Sequence, residues 1–231
     1  MSAAVKGSDP KPDVPPLMLR EEAYFALERM IVTGQLPPGK WVSETHLMAV
    51  SGHSRASVRS AVQRLQDQDL IRTYPRRGAQ ISPIDYTLQF RAQELRRSVE
   101  GLLARLAAER ASADQRRQFQ DLAEEFRAIS RSLDQVSMID IDLRNHSLML
   151  AAADNPFAAK AMLSVKGLSR RFWILHFEAH GDVARMATTH GAVATAIGRG
   201  DPAAAEQAVH DVIDYVEEFT LKTVGYSGKL A

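Results

Sequence analysis

The chain has 231 residues, 45% apolar and 25% charged, enough for one large domain or two small ones, each with its own core. It has no cysteine, which excludes disulfides and thiolate metal sites and points to the cytoplasm. No apolar run approaches the ~20 residues of a membrane span, and the opening MSAAVKGSDPKPDVPP lacks a signal-type apolar segment, so no membrane partner is expected. The net charge of +1 conceals an uneven distribution. Between Arg55 and Arg77 there are six arginines against two aspartates, while from Asp85 onward 18 basic face 20 acidic residues. A local positive field of this kind suits a chain of which one part meets phosphates.

Residues 1–18 carry prolines at 10, 12, 15 and 16 and read as a flexible arm. From Leu19 to Thr33, Tyr24, Leu27, Met30 and Ile31 recur at helical spacing, and Gly34 ends the run. Ser43 precedes a short helix that stops at Ser51-Gly52. Ser54 is the N-cap of the next helix, to about Gln68, which turns Val58, Ala61, Val62 and Leu65 inward. Residues 70–74 and 79–81 are strand-like runs on either side of Pro75 to Gly78, a hairpin tipped with Arg76 and Arg77. The polar edge of the 54–68 helix is built from Arg55, Ser57, Arg59 and Ser60. A basic helix followed by an arginine-tipped wing is how a winged helix-turn-helix holds duplex DNA. Arginines near the helix start reach guanine edges, hydroxyls such as that of Ser54 hold phosphates, and the wing meets backbone or minor groove.

After Pro83 the pattern is helical to the end, with helices expected near 86–111, 115–134, 137–153, 156–163, 165–180, 183–199 and 202–224. The fold class is therefore mainly α, an N-terminal winged helix-turn-helix over 19–84 joined to an all-α bundle of six or seven helices over 85–225. Two of these helices carry polar groups where core belongs. On 137–153, Asp142 and His146 stand one turn apart within the face of Ile139, Leu143, Leu150 and Ala153. On 183–199, His190 is central to the face of Val183, Met186, Val193 and Ile197. Burying an acid and two imidazoles singly is costly, and convergence on one interior ion or ligand would offset that cost. Hydrogen-bonded core histidines are the alternative.

The segments GQLPPGKWVSE, SRASVRSAVQRLQDQDLI and YPRRGAQI, in order, resemble the reader of GntR-type bacterial transcription regulators. The resemblance implies that Arg55 and Arg59 are the principal DNA contacts, with Ser54 at a phosphate and Gly78 at the wing tip. Thr45 stands where some members have a DNA-contacting arginine, and Ser57 and Ser60 replace the common Pro and Glu. DLRNH at 142–146 and HGAVATAIGRGD at 190–201 resemble the FCD effector domain of the FadR subfamily. Many such domains hold a divalent metal of Zn, Ni or Mn type through an Asp, a His four later and two further His. Asp142, His146 and His190 match the first three, and the fourth position falls on Val212, with His210 facing away and His176 as a distant substitute. The resemblance also implies a small organic acid as effector, for which Arg96 and Arg171 are the candidate clamps, whereas Phe172 and Trp173 read as core.

The sequence thus points to a homodimeric, ligand-responsive repressor of a double-stranded operator, with a small carboxylate metabolite as effector, and not to an enzyme. A metal-sensing regulator is the second reading. A metal-dependent hydrolase is a third, disfavoured because no separate general base faces the three ligands.

Overall fold

The computed structural model describes residues 16–225; most of the expected arm, residues 1–15, lies outside them. Nine helices and three short strands follow in order among the described residues: α1 (Pro16–Val32), β1 (Trp41–Val42), α2 (Glu44–Ser51), α3 (Arg55–Asp67), β2 (Ile71–Tyr74), β3 (Gly78–Ile81), α4 (Tyr86–Arg110), α5 (Ala113–Ser132), α6 (Gln135–Ala153), α7 (Pro156–His180), α8 (Val183–Arg199) and α9 (Pro202–Thr223). The expected class, a winged helix-turn-helix followed by an all-α bundle, is the class observed.

The N-terminal core forms where α3 lays Val58, Ala61 and Leu65 against Tyr24, Leu27 and Ile31 of α1. These positions repeat every three or four residues, so each helix offers one apolar stripe and keeps its arginines outside. Arg64, at the edge of that contact, covers the Tyr24 ring with its guanidinium 3.9 Å from the centroid. The sheet is ordered β1-β3-β2 and antiparallel throughout, with Trp41 opposite Gln80 and Ile71 opposite Ile81. β1 has only two residues, too few to show an alternating pattern, and was not expected from the sequence.

The second core is formed by α4 to α9, with α4 against α9 and α5 against α8. Phe119 and Phe126 of α5, Val193 and Ile197 of α8, and Ile213 and Phe219 of α9 are among its buried members. Helix starts are fixed by side-chain caps at Asp85, Ser112, Asp134, Asn155, Asp182 and Asp201. At α5 the expected capping box is complete: Gln115 N donates to Ser112 Oγ at 3.2 Å, and Ser112 N donates to Gln115 Oε1 at 2.9 Å. Ser112→Ala is expected to cost about 1 kcal/mol in urea unfolding, with little change in the denaturant slope.

One expectation is corrected. The segments 156–163 and 165–180 are a single helix, α7. Ser164, between them, donates its hydroxyl to the Ala161 carbonyl within the helix, at 2.6 Å. The undivided α7 packs on α1 as well as on the bundle, so one helix touches both cores.

Candidate DNA interface and ligand cavity

Gly52 ends α2 in the left-handed conformation, with φ 72°, and the chain re-enters a helix three residues later, at Arg55. Ser54 caps α3 by accepting from Ser57 N at 3.3 Å. The first turn of α3 presents Arg55 and Arg59 to solvent, with side chains 62% and 67% exposed. Both arginines reach back to one carboxylate: Arg55 Nε lies 3.2 Å from Glu44 Oε1, and Arg59 Nε lies 3.0 Å from Glu44 Oε2. Glu44 therefore holds the two guanidinium groups side by side. Exposed pairs of this type contribute about 0–1 kcal/mol, so a nucleic acid can compete for the arginines while using their alignment.

Ser57 is a correction. It is 5% exposed, and its hydroxyl accepts from Ser54 Oγ at 3.1 Å, so it sits under the helix cap and not on the groove-facing row. The serine is small enough to turn inward at the crowded first turn, beyond what a helical projection resolves. The wing tip is as expected: Arg76 and Arg77 are exposed, and Arg76 itself has φ 62°. Gly78 has φ 88°, and a Cβ there would stand 3.1 Å from the Val42 carbonyl, so the tip requires glycine. Trp41 and Tyr74, ring centroids 5.0 Å apart and both partly exposed, brace the wing root. Neither they nor Glu44 was identified from the sequence. Thr45 is exposed on α2.

In the bundle, α4, α6, α7, α8 and α9 enclose a cavity of about 70 Å³. Asp142, His146 and His190 all line it, as does Arg96. His190 donates through Nδ1 to the Met186 carbonyl at 2.8 Å, which turns Nε2 toward Asp142 Oδ1, 3.3 Å away. That contact is attractive when both ring nitrogens carry protons or when a cation stands beside the pair. His146 directs Nδ1 at Glu100, 3.7 Å from Oε1, leaving Nε2 buried without a partner. Burial pushes its imidazole below the ordinary histidine range, against the pull of Glu100. Burial alone would raise the Glu100 carboxyl. Arg96, whose Nε donates to Oε2 at 2.9 Å, and His146 outweigh burial and hold Glu100 well below the usual carboxylate range.

The same cavity receives residues that the sequence did not disclose. Lys166, Ser169, Arg170 and Trp173 form one stripe of α7 facing it. Burial pushes the Lys166 ammonium below the usual lysine range, opposed chiefly by Asp142 and then Glu100. Ser169 Oγ is buried and unpartnered. All four residues of the stripe fall at i, i+3, i+4 and i+7 within the expected 165–180 segment, which was the available signal. Trp173, read as core, is 6% exposed but borders the cavity; Phe172 is core as expected.

Arg171 is a second correction. It is 2% exposed and lies on another face of α7, where Nη1 donates to the Ser82 carbonyl at 2.9 Å and Nη2 to that of Pro83 at 3.4 Å. It ties the bundle to the end of the wing and clamps no ligand. Beside it, Gly167 lets α7 close on the reader: a Cβ there would stand 2.7 Å from Leu70 Cδ1 and 3.7 Å from Glu28 Oε1. Burial raises the Glu28 carboxyl, opposed by Arg170 and Lys166, so this acid of α1 shares its counter-charges with the cavity.

The expected metal ligands do not form a closed set. Among the described residues no three His, Asp or Glu side chains gather at metal-binding spacing. Val212 stands at the fourth position, 3% exposed, in a narrower recess of about 20 Å³ shared with Glu100, Asp142, His146 and His190. His176 bonds the Phe172 carbonyl and packs on that ring, away from the cavity; His210, expected to face away, is half-buried against Gly101 where α9 packs on α4, and does not line the cavity either.

Residues 19–81 match the description "Bacterial regulatory proteins, gntR family", and residues 92–215 match the FCD domain. The chain is similar to the galactonate operon transcriptional repressor of Escherichia coli K12, 28% identical over 220 residues that cover 84% of this chain and 93% of that one. It is also 37% identical, over 91 residues that are 39% of either chain, to an HTH-type transcriptional regulator in an unstable DNA locus of Streptomyces ambofaciens. Among solved structures, E. coli McbR/YncC superposes with a TM-score of 0.76 at 14% identity, covering 89% of this chain and 98% of that one. That likeness is one of fold.

Proposed function

The chain belongs to the GntR family of bacterial regulatory proteins, with an FCD domain behind its reader, and from this we propose that it is a dimeric repressor released by a small organic acid. It is a transcription regulator and not an enzyme. Two readers on a two-fold axis would place Arg55 and Arg59 in successive major grooves, ~34–36 Å apart along a pseudo-palindromic operator. The cavity supports an acid as effector, because cationic Arg96, Lys166 and Arg170 are set among apolar walls. A sugar acid is a reasonable first probe, since one relative is named for a galactonate operon.

The observation that carries the regulatory reading is the double contact of α7. Its Lys166–Ser169–Arg170 stripe faces the cavity, while Gly167, Leu168 and Arg171 pack on the reader. A ligand carboxylate that draws Lys166 and Arg170 inward loosens their hold on Glu28 of α1. The reader orientation then shifts by as much as the ligand's differential affinity for the two arrangements allows.

The test is enrichment of bound sequences from random duplexes, followed by anisotropy titration on the enriched site. We expect a pseudo-palindrome whose affinity falls about 10³-fold or more between 50 and 200 mM salt, as several phosphate contacts require. Galactonate is expected to weaken binding. Arg96→Gln is expected to keep operator affinity and to lose at least ~10-fold of that response, the value of one charge-assisted clamp. Failure to bind any sequence preferentially at low salt would overturn this function.

A further inference from the structure

We propose that the resident cation of the cavity is Lys166, and that the protein takes a small hydroxy acid there without a divalent metal. This rests on the reading above, since it concerns the same cavity, but it is decided by metal and ligand binding and not by operator binding.

The first argument is the donor set. Asp142, His146 and His190 supply three groups, and the side where a fourth would close the cage is the isopropyl group of Val212. Structural sites for zinc-like ions use four protein ligands, and a catalytic site leaves one place to water. A three-ligand site alone would be conceivable, but the three do not gather here.

The second argument is charge. Glu100 is already matched by Arg96, at 2.9 Å, and Arg170 is shared with Glu28. Asp142 remains, against His190, and the cation facing it is Lys166 on the opposite wall. The ammonium therefore shares the cavity with the acid–imidazole pair and supplies it with a cation from the chain itself. A divalent ion added to a cavity of about 70 Å³ would share that confined space with the ammonium and be repelled by it. One cation or the other is accommodated, and the chain carries its own.

The third argument rests on two of the buried, unpartnered polar atoms among the cavity's lining residues, a set that also includes Trp173 Nε1. Ser169 Oγ lies one turn beyond Lys166 on the same stripe and can donate to a carboxylate held by the ammonium. His146 turns Nδ1 toward Glu100, and a ring that keeps its proton there offers the buried, unpartnered Nε2 to a proton donor and not to a carboxylate. A ligand that satisfies both presents a carboxylate at one end and a hydroxyl at the other. That is a hydroxy acid.

The experiment uses the full chain, stripped with chelator and dialysed, with Zn²⁺, Ni²⁺ and Mn²⁺ titrated calorimetrically as the metals alone. We expect no saturable one-per-chain binding by the wild type. We expect the double variant Lys166→Met/Val212→His, which removes the resident cation and adds the fourth ligand, to bind one ion at least ~100-fold more tightly, the scale on which metal-site partners act. One ion per chain in the wild type overturns the proposal, as does equal affinity in the two proteins. In a second arm with chelator present, galactonate and lactate are expected to raise the wild-type melting temperature, acetate to do so less, and Lys166→Gln to abolish the shift. No shift with either hydroxy acid, or a shift that needs added metal, overturns it. Should the double variant fail to fold, the wild-type metal titration and the Lys166→Gln arm still decide. Operator binding by the same wild-type sample reports separately on the parent function.

Discussion

Replacing Arg55 and Arg59 together by alanine is expected to reduce operator affinity by at least ~100-fold while leaving thermal unfolding within a degree or two. Each guanidinium on a base edge contributes about 1–3 kcal/mol of recognition. Both side chains are more than half exposed and make only surface pairs with Glu44, so the folded chain loses little. The two effects are not additive, because Glu44 aligns both arginines and removing one frees the carboxylate to hold the other. A cycle of the two single variants and the double, read by anisotropy on the enriched operator, is expected to show that coupling. Arg76→Ala on the wing is a contrasting case: a phosphate contact weakens all sequences alike and lowers the salt slope by about one. An unchanged affinity in the double variant would remove α3 as the reading helix.

Arg171→Ala is expected to destabilise the protein by about 2–4 kcal/mol in urea unfolding and to uncouple ligand from operator. The guanidinium is 2% exposed with no carboxylate beside it, and burial, helped by Arg72, brings its pKa down to about 10. Removing that charge recovers some desolvation cost. Truncation, however, orphans the Ser82 carbonyl and leaves a void as long as the side chain, and these losses outweigh the recovery. Arg171→Lys is expected to rescue little, because an ammonium cannot span the carbonyls of both Ser82 and Pro83 as a planar fork does. The functional readout separates the joint from mere stability. At a temperature where Arg171→Ala is fully folded, it should still bind operator, and galactonate should no longer shift that binding. Retention of the full ligand response would place the coupling elsewhere than α7.

The two corrections among the site residues have one cause. Ser57 and Arg171 were assigned by the face of a helix on which they fall, and in each case the decisive neighbour comes from outside the periodic pattern. For Ser57 it is the cap residue Ser54, and for Arg171 it is the backbone of a loop some ninety positions earlier. Asp142, His146 and His190 were legible because charge on an apolar stripe is anomalous wherever the helix packs. Lys166 stood at helical spacing with Ser169, Arg170 and Trp173 inside one expected helix, but a basic row beside an apolar face reads equally as a solvated rim, and only the packing of α7 turned that row into the cavity. Glu44 gave no signal, since an acid in the first turn of a helix is ordinary there.

The sequence by itself determined what depends on local physics. Helical and alternating periodicity, cap residues and turn glycines defined the reader, the wing and the bundle, and the arginine cluster showed which end meets nucleic acid. Tertiary structure alone decided which groups share a space. It brought Glu100 to His146, set Lys166 and Asp142 on facing walls of one cavity, and gave α7 one face toward that cavity and another toward the reader. Such pairings join residues far apart in the chain, and no spacing rule along one helix encodes them. The same limit governs the metal: three ligand-type residues could be read from the sequence, but whether they close around an ion depends on the opposite wall, and there the structure has Val212 and Lys166.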